Sequence, residues 1–381
     1  MKIAQVCPYD IDRPGGVQRH IRDTAEALAE RGHEVKIIAP ATDTPSLPSP
    51  SGVSIHRLGR SFPIKFSGTS FEIAIALGRQ RADLKALMRG FDVAHFHTVW
   101  SPFLAVQALS FYDGPAVATF HDTPPHGVCG HMLRALFLLL SRLLLPRFDA
   151  ILTPSEAPQG HLVPPPGQGL TIFPPCTDLR SFLQANPQPG FSDGHLNILF
   201  LGRLEPRKGA MLLLKAFRIL RATNPSLRLI IAGAGAQENA LRRLVERDQL
   251  SSVVFVGPPA DVASWFSAAD IFCAPSPYGE SFGIVIVEAM ASGKPVVAAA
   301  NEGYRTLLTG EAARFLVPPG NIKKLAEALA ALAADESLRH RLGEWGRATA
   351  PRYDCRTLAP RLEEIFRDAI NAHRLKARNV I

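Results

Sequence analysis

Ten short aliphatic runs, apolar along their whole length and separated by helical stretches, constrain this chain more than any other feature. A strand with one wet face alternates apolar and polar residues, whereas a strand buried on both faces does not. IAQVCPY, VKIIAP, VAHFH, AVATFH and AILTPS in the first half are of the buried kind, as are NILFLG, LRLIIAGAG, VVFVG, IFCAPS and PVVAA in the second. Amphipathic patterns such as VQRHIRDTAEALAERG lie between them. Such strands alternating with helices specify parallel sheets covered on both faces, the doubly wound, Rossmann-like α/β architecture.

The 381 residues exceed what one ordinary core holds and predict two such domains of similar size, facing each other across a cleft. QANPQPGFSDGH, residues 184–195, is rich in Pro, Gly and polar residues and reads as the linker. Domains over 1–190 and 191–357 follow, with a last helix near 358–374 that has no strand after it and packs back on the first domain. Hydrophobic content of 46% with 20% charged residues describes a globular chain and excludes a disordered one. The longest apolar run, LRALFLLLSRLLLPRF, carries Arg134, Arg142 and Arg147 and falls short of the ~20 apolar residues of a membrane span. No signal peptide is visible at Met1-Lys2. Cys7, Cys129, Cys176, Cys273 and Cys355 are scattered without a CxxC or Cys/His cluster, so they read as small core residues. A cytoplasmic protein without structural zinc is expected.

The net charge of +8 points to an anionic partner. Arg57, Arg60, Lys65, Arg79, Arg81, Lys85 and Arg89 stand against only Glu72 and Asp83, and no acid occurs from Pro124 to Phe148. Basic residues beside apolar ones suit an anionic membrane surface. An ordinary solvated face reads the same way in sequence. Nucleic acid is not expected, because no binding motif accompanies the charge.

Ligands of parallel sheets bind beyond the carboxyl ends of the strands, so the loops there hold the candidate site. After the first strand, DIDRPGGVQRHI places Gly15 and Gly16 before a helix, where a backbone without side chains can approach a phosphate. Asp10 and Asp12 form a D-x-D, for which turn chemistry is the better reading than metal binding. GRLEPRKG sets Arg203 and Lys208 at the two ends of a short loop, where a fork and a point charge converge on a diphosphate. GAGAQE after LRLIIA is a broken dinucleotide fingerprint, with Glu238 in the third glycine's place, and argues against a nicotinamide oxidoreductase. In PYGESFGIVIVEAMASG a helix is expected from about Ser281. Its first amides, around Phe282, Gly283 and Ile284, carry the positive end of the helix dipole and suit an anion. Glu280 before the helix and Glu288 within it are acceptors suited to hydroxyls. A buried Glu288 must be satisfied by a protein group or by a ligand. A ribose and a transferred sugar joined by a diphosphate would engage all three elements.

With those residues in place the chain resembles the retaining glycosyltransferases of family 4, which have the two-domain GT-B fold. The resemblance rests on Glu280 to Glu288 spaced E-x7-E, on GRLEPRKG, on AGAGAQENALRRL and on SAAD before IFCAPS, and runs from Lys2 to about Phe366. VCPYDIDRPGGVQRHI, FDVAHFH, VATFHDT and GESFGIVIVEAMASG are especially similar to phosphatidylinositol mannosyltransferases. The resemblance implies that Gly16 presents its amide to the donor phosphate and that Arg203 and Lys208 neutralise the departing diphosphate. It implies Glu280 on hydroxyls of the transferred sugar, with Ser281, Phe282, Gly283 and Ile284 nearby, and Glu288 on the ribose. His121 would touch the sugar near the reacting carbon, with Tyr9 and Gln18 on the acceptor side. His95 and His97 keep a structural reading. Pro175-Cys176-Thr177-Asp178 replaces the Asn-Gly-Val-Asp common in the family, and PPADVASW, which would flank the base, leaves guanine and uracil both open.

The expected reaction is hexose transfer, mannose favoured, from GDP-mannose or a UDP-sugar with retained configuration. It needs no cofactor and no metal. The acceptor is lipid-linked or an oligosaccharide, met at the cytoplasmic membrane face with peripheral association. A UDP-sugar transferase of polysaccharide or lipopolysaccharide assembly and a GT-B sugar-nucleotide epimerase are the alternatives. A non-catalytic binding protein is disfavoured by intact Glu280, Arg203 and Lys208.

Overall fold

The structure is a computed structural model that describes residues 1–41, 47–66, 69–100, 103–123 and 128–378. The chain divides into two units, Met1–Asp178 with Tyr353–Ile381, and Leu179–Arg352.

In the first unit an eight-stranded sheet runs β4-β3-β2-β1-β5-β6-β7-β8. Its strands are β1 (Lys2–Val6), β2 (Glu34–Ala41), β3 (Val53–Phe66), β4 (Thr69–Ile75), β5 (Val93–His97), β6 (Ala116–Thr119), β7 (Ala150–Thr153) and β8 (Leu170–Ile172). Neighbours are parallel except β3 with β4, which are antiparallel. Helices α1 (Gly16–Glu30), α2 (Gly78–Met88), α3 (Leu104–Ser110) and α4 (Val128–Leu144) connect the strands. All five residues of β5 are buried, as a central strand covered on both faces requires. One core packs Phe96, Phe120, Phe148 and Leu104 together; the other packs Ile3, Ile21, Leu28 and Phe173.

The second unit carries a six-stranded, wholly parallel sheet in the order β11-β10-β9-β12-β13-β14. Its strands are β9 (Leu196–Leu201), β10 (Leu227–Ala232), β11 (Val253–Gly257), β12 (Ile271–Ala274), β13 (Val296–Ala299) and β14 (Leu316–Val317). The helices are α5 (Arg180–Leu183), α6 (Ala210–Arg221), α7 (Glu238–Arg247), α8 (Val262–Ala268), α9 (Ile284–Ala291), α10 (Ile322–Ala334) and α11 (Glu336–Thr349). Asp261, Asn321 and Asp335 cap α8, α10 and α11 through side-chain acceptors on their first amides. The chain then returns to the first unit as α12 (Cys355–Arg378), whose Leu358, Leu362 and Phe366 join the core beside α1. Glu363, 3% exposed, ties this helix to Arg31, from which it accepts at 3.2 Å, and accepts also from Arg367 one turn on in the same helix.

Two boundaries differ from the sequence reading. The units part at Asp178/Leu179 and rejoin at Arg352/Tyr353, not at 190 and 357. The Pro/Gly-rich 184–195 stretch is fastened to the second unit: Ser267 donates to Ala185 O at 2.7 Å, and the Gln188 amide donates to Ser264 O at 3.1 Å. The Phe191 ring meets Trp265 edge-on at 4.9 Å. Composition signals a loop, but these bonds decide where the loop belongs. Among the cysteines, Cys7, Cys176, Cys273 and Cys355 are buried and unbridged, whereas the Cys129 side chain lies outside the described residues.

Candidate active site

Strand order reverses once in each sheet, between β1 and β5 and between β9 and β12, and such reversals open the crevice where ligands of doubly wound sheets sit. In the second unit the loop after β9 holds Arg203 to Lys208 and the loop after β12 holds Glu280. They meet. Lys208 Nζ donates to Glu280 Oε1 at 2.8 Å, and Arg207 Nη1 donates to the same oxygen at 3.0 Å. Arg207 also reaches Gly279 O at 2.8 Å. Glu280 is only 8% exposed. Burial pushes its carboxyl up, but the Lys208 and Arg207 cations outweigh burial and hold it below the usual range. Burial also lowers Lys208, against the raising pull of Glu280.

Protein groups therefore satisfy Glu280, with Arg207 as the partner that sequence reasoning passed over. Its only signal was its place beside Lys208 in PRK. Arg203 does not join them; its Nη1 lies 3.0 Å from Glu205 Oε1 and its side chain is 45% exposed. Beneath this loop, the Leu204 amide donates to Ala234 O at 2.9 Å. A Cβ on Gly233 would stand 2.0 Å from Gly202 O, so the glycines of GAGAQE serve close packing of the two loops.

The helix after Glu280 starts at Ile284, three residues later than the sequence suggested for Ser281. Gly283 is the N-cap, with φ 113°, and a Cβ there would stand 2.7 Å from the Tyr304 ring. Ser281 and Phe282 thus precede the helix, and the leading helical amides belong to Ile284 and Val285. Tyr304, fully buried, donates to Ser276 Oγ at 3.1 Å and buttresses the turn, a part that nothing in its sequence context announced. Glu288 lies buried in the middle of α9.

In the first unit, Gly16 opens α1 behind an extended Gly15. Gln18 Nε2 donates to Asp10 O at 3.3 Å, closing the loop on itself, and Tyr9 packs against the α1 side of the core. The D-x-D is occupied by the protein. Asp10 accepts from the Asp12 amide at 3.0 Å, and Asp12 pairs with Arg57 at 2.7 Å. Arg57 is thereby removed from the basic surface, while Arg79, Arg81, Lys85 and Arg89 are exposed on and just after α2. The side chains of Lys65 and Glu72 lie outside the described residues.

At the β1/β5 reversal the ends of β1, β5 and β6 and one turn of α1 bring four imidazoles together. His97 Nδ1 lies 3.0 Å from His121 Nε2, and His97 Nε2 lies 2.8 Å from Gln5 Oε1. His20 joins from α1, its ring 5.4 Å from His121 and 5.5 Å from His97. His95, whose ring lies 4.2 Å from that of His97, is bonded to Thr119 at 2.7 Å. Burial and the neighbouring rings lower His97 and His121 well below the ordinary histidine value, and His95 falls to about 3. Asp122, next to His121, accepts from the Trp100 indole at 2.9 Å, and burial raises it to about 6.

α4 carries a stripe of exposed apolar side chains at helical spacing: Met132 (71%), Leu136 (47%), Leu139 (55%) and Leu143 (65%). Arg134 and Arg142 are exposed on the same helix. Among the described residues no helix is long and apolar enough to cross a membrane.

The family model described as Glycosyltransferase Family 4 matches residues 14–180, and that described as Glycosyl transferases group 1 matches residues 183–349. The phosphatidyl-myo-inositol mannosyltransferase of Mycobacterium leprae is 32% identical over 374 residues, covering 96% of both chains. This chain belongs to glycosyltransferase family 4. The phosphatidyl-myo-inositol mannosyltransferase of Mycobacterium tuberculosis H37Rv is 33% identical to this glycosyltransferase over 376 residues, again covering 96% of each. Anabaena HepE, solved with UDP and glucose, superposes with a TM-score of 0.75 at 21% identity, over 96% of this chain and 99% of that one. Sucrose-phosphate synthase from Thermosynechococcus elongatus does so with a TM-score of 0.75 at 23% identity, over 97% and 99%. These likenesses establish the GT-B fold of the glycosyltransferase.

Proposed function

We propose that this glycosyltransferase moves a mannosyl residue, with retained configuration, from a nucleoside diphosphate sugar to an inositol-bearing lipid at an anionic membrane surface. The observation that carries the reading is the end-to-end likeness to phosphatidyl-myo-inositol mannosyltransferases, 32–33% identical over 96% of this chain. In the second unit, Lys208 and Arg207 stand at the strand-order reversal beside the α9 N-terminus, a place suited to a diphosphate. Glu280 preorganises both cations, and as a carboxylate it is an acceptor suited to sugar hydroxyls. Arg203 turns from Glu205 to the leaving phosphate. As the glycosidic bond lengthens, negative charge grows on the diphosphate, and donors already in place stabilise it without reorganisation, each worth roughly 3–4 kcal/mol. The phosphate oxygen that leaves takes the acceptor's proton, so no protein nucleophile and no metal take part.

In the first unit, His121 addresses the sugar, and Gly16, Tyr9 and Gln18 line the loop beside it. The α4 stripe with its flanking arginines, together with the α2 cations, supports peripheral attachment: apolar side chains enter the headgroup boundary while cations meet anionic lipid. A soluble acceptor is the second reading. It is favoured by the D-inositol 3-phosphate glycosyltransferase of Arthrobacter, 30% identical over 88% of this chain.

Labelled GDP- and UDP-sugars offered with phosphatidylinositol vesicles, with inositol phosphate, or with no acceptor separate these readings. Label from GDP-mannose in the lipid, unaffected by EDTA, is the expected result. Label in inositol phosphate supports the second reading, and an altered nucleotide sugar without acceptor identifies an epimerase.

A further inference from the structure

The imidazole cluster of the first unit holds more than a sugar contact needs. One nitrogen each from His20, His97 and His121 lie within 4.8 Å of one another. The partners of the rings decide which nitrogens carry lone pairs. His20 Nδ1 lies 3.3 Å from the Cys176 carbonyl, which only accepts, and 3.2 Å from the Thr24 hydroxyl, which accepts as well as donates; a proton on Nδ1 serves both and leaves Nε2 bare. His97 Nε2 faces Gln5 Oε1 at 2.8 Å, which puts that proton on Nε2 and leaves Nδ1 bare, 3.0 Å from His121 Nε2. Carbonyl oxygens behind imidazoles are the usual second layer of metal sites, because they fix the tautomer and raise the basicity of the inward nitrogen.

We propose that His20, His97 and His121 bind one divalent ion of the zinc class. Imidazole ligands stand roughly 2.0–2.1 Å from such an ion, which sets tetrahedral neighbours roughly 3.3 Å apart. His97 Nδ1 and His121 Nε2 already stand 3.0 Å apart, joined through the His121 proton that the ion would displace, and a His20 nitrogen lies within 4.8 Å of both. His20 and His97 are buried and His121 is partly exposed, so the fourth position opens on the His121 side. An all-nitrogen set selects zinc, copper, nickel or cobalt over magnesium and calcium, which take oxygen ligands. The ion is not a cofactor of the transfer; it occupies a histidine that the proposed reaction uses, and this one consequence rests on the functional reading above.

The test uses the full chain stripped by chelator and titrated with Co²⁺, read by visible absorption without any substrate. One equivalent should give the intense bands of a tetrahedral site, displaced by Zn²⁺ and unmoved by Mg²⁺. His20→Gln and His97→Gln should each weaken binding at least tenfold, with folding checked by circular dichroism. His20→Gln keeps the test sound if the deeper His97 variant does not fold. Absent bands, or bands that persist in His20→Gln, overturn the proposal. Zn²⁺ should also inhibit transfer, reversibly with EDTA; Co²⁺ binding without inhibition leaves the metal site standing and removes His121 from the sugar.

Discussion

Glu280 takes both its cations on one oxygen, and the consequences of that bond are measurable. Lys208→Ala removes one preorganised charge from the proposed phosphate site and should lower kcat by about 10²–10³-fold. Glu280→Gln should abolish transfer and also cost roughly 1–3 kcal/mol, since it leaves Lys208 and Arg207 facing each other without a counter-charge. Steady-state kinetics and thermal melts read both effects. Glu280 was legible because it stands just ahead of an expected helix, eight positions before Glu288. Its bonds to Lys208 and Arg207 were not, because those residues lie about 70 positions away in the loop after β9 and only the β9/β12 pairing brings the two loops close. Arg203 shows the converse, being prominent in the motif and bonded to Glu205.

Helix starts and helix anchors depend on contacts that no local pattern encodes. α9 begins where Gly283 adopts a positive φ against Tyr304, so Gly283→Ala should destabilise the second unit by about 1–3 kcal/mol through strain and overlap. Differential scanning calorimetry will register it as a lower melting temperature. α12 is pinned by Glu363, whose carboxyl Arg31 and its neighbours hold down to about 2. A depressed carboxylate contributes in full above its unfolded value near 4.3 and loses that contribution as pH falls toward about 2. Glu363→Gln should therefore lower stability by about 1–2 kcal/mol at neutral pH, allowing for the exposed Arg31, and the difference from wild type should vanish near pH 2. Melts across pH 2–7 test the window. The buried parallel strands were readable because apolar runs of that length admit few alternatives. β3 and β4 were not: VSIHRLGRSFPIKF mixes polar and apolar residues, as an antiparallel pair at a sheet edge does.

For the molecule as a whole, charge and apolar surface decide where it works. The excess of basic residues was visible in composition, but the sequence could not separate the cations that pair internally from those left outward. Arg57 is consumed by Asp12; Arg79, Arg81, Lys85 and Arg89 are outward. Likewise LRALFLLLSRLLLPRF read as one apolar run, and only folding divides it into the core-facing Phe137 and Leu140 and the exposed Leu136, Leu139 and Leu143. Vesicles containing anionic lipid should bind the protein in a salt-sensitive way, with about 1 kcal/mol per cation near the surface. Leu136→Glu with Leu139→Glu should cut that binding at least tenfold in a sedimentation assay while leaving the melting temperature unchanged.

The proposed role of the charged loops of the second unit is to hold an activated sugar for delivery to an inositol-bearing acceptor. Its most direct test is to incubate the protein with radiolabelled GDP-mannose and phosphatidylinositol vesicles and to follow the label into the lipid fraction. The expected product is a labelled mannolipid of retained anomeric configuration, formed about 10²–10³-fold more slowly by Lys208→Ala than by wild type. Failure to transfer or hydrolyse any GDP- or UDP-sugar, with every inositol-bearing acceptor supplied, would contradict it.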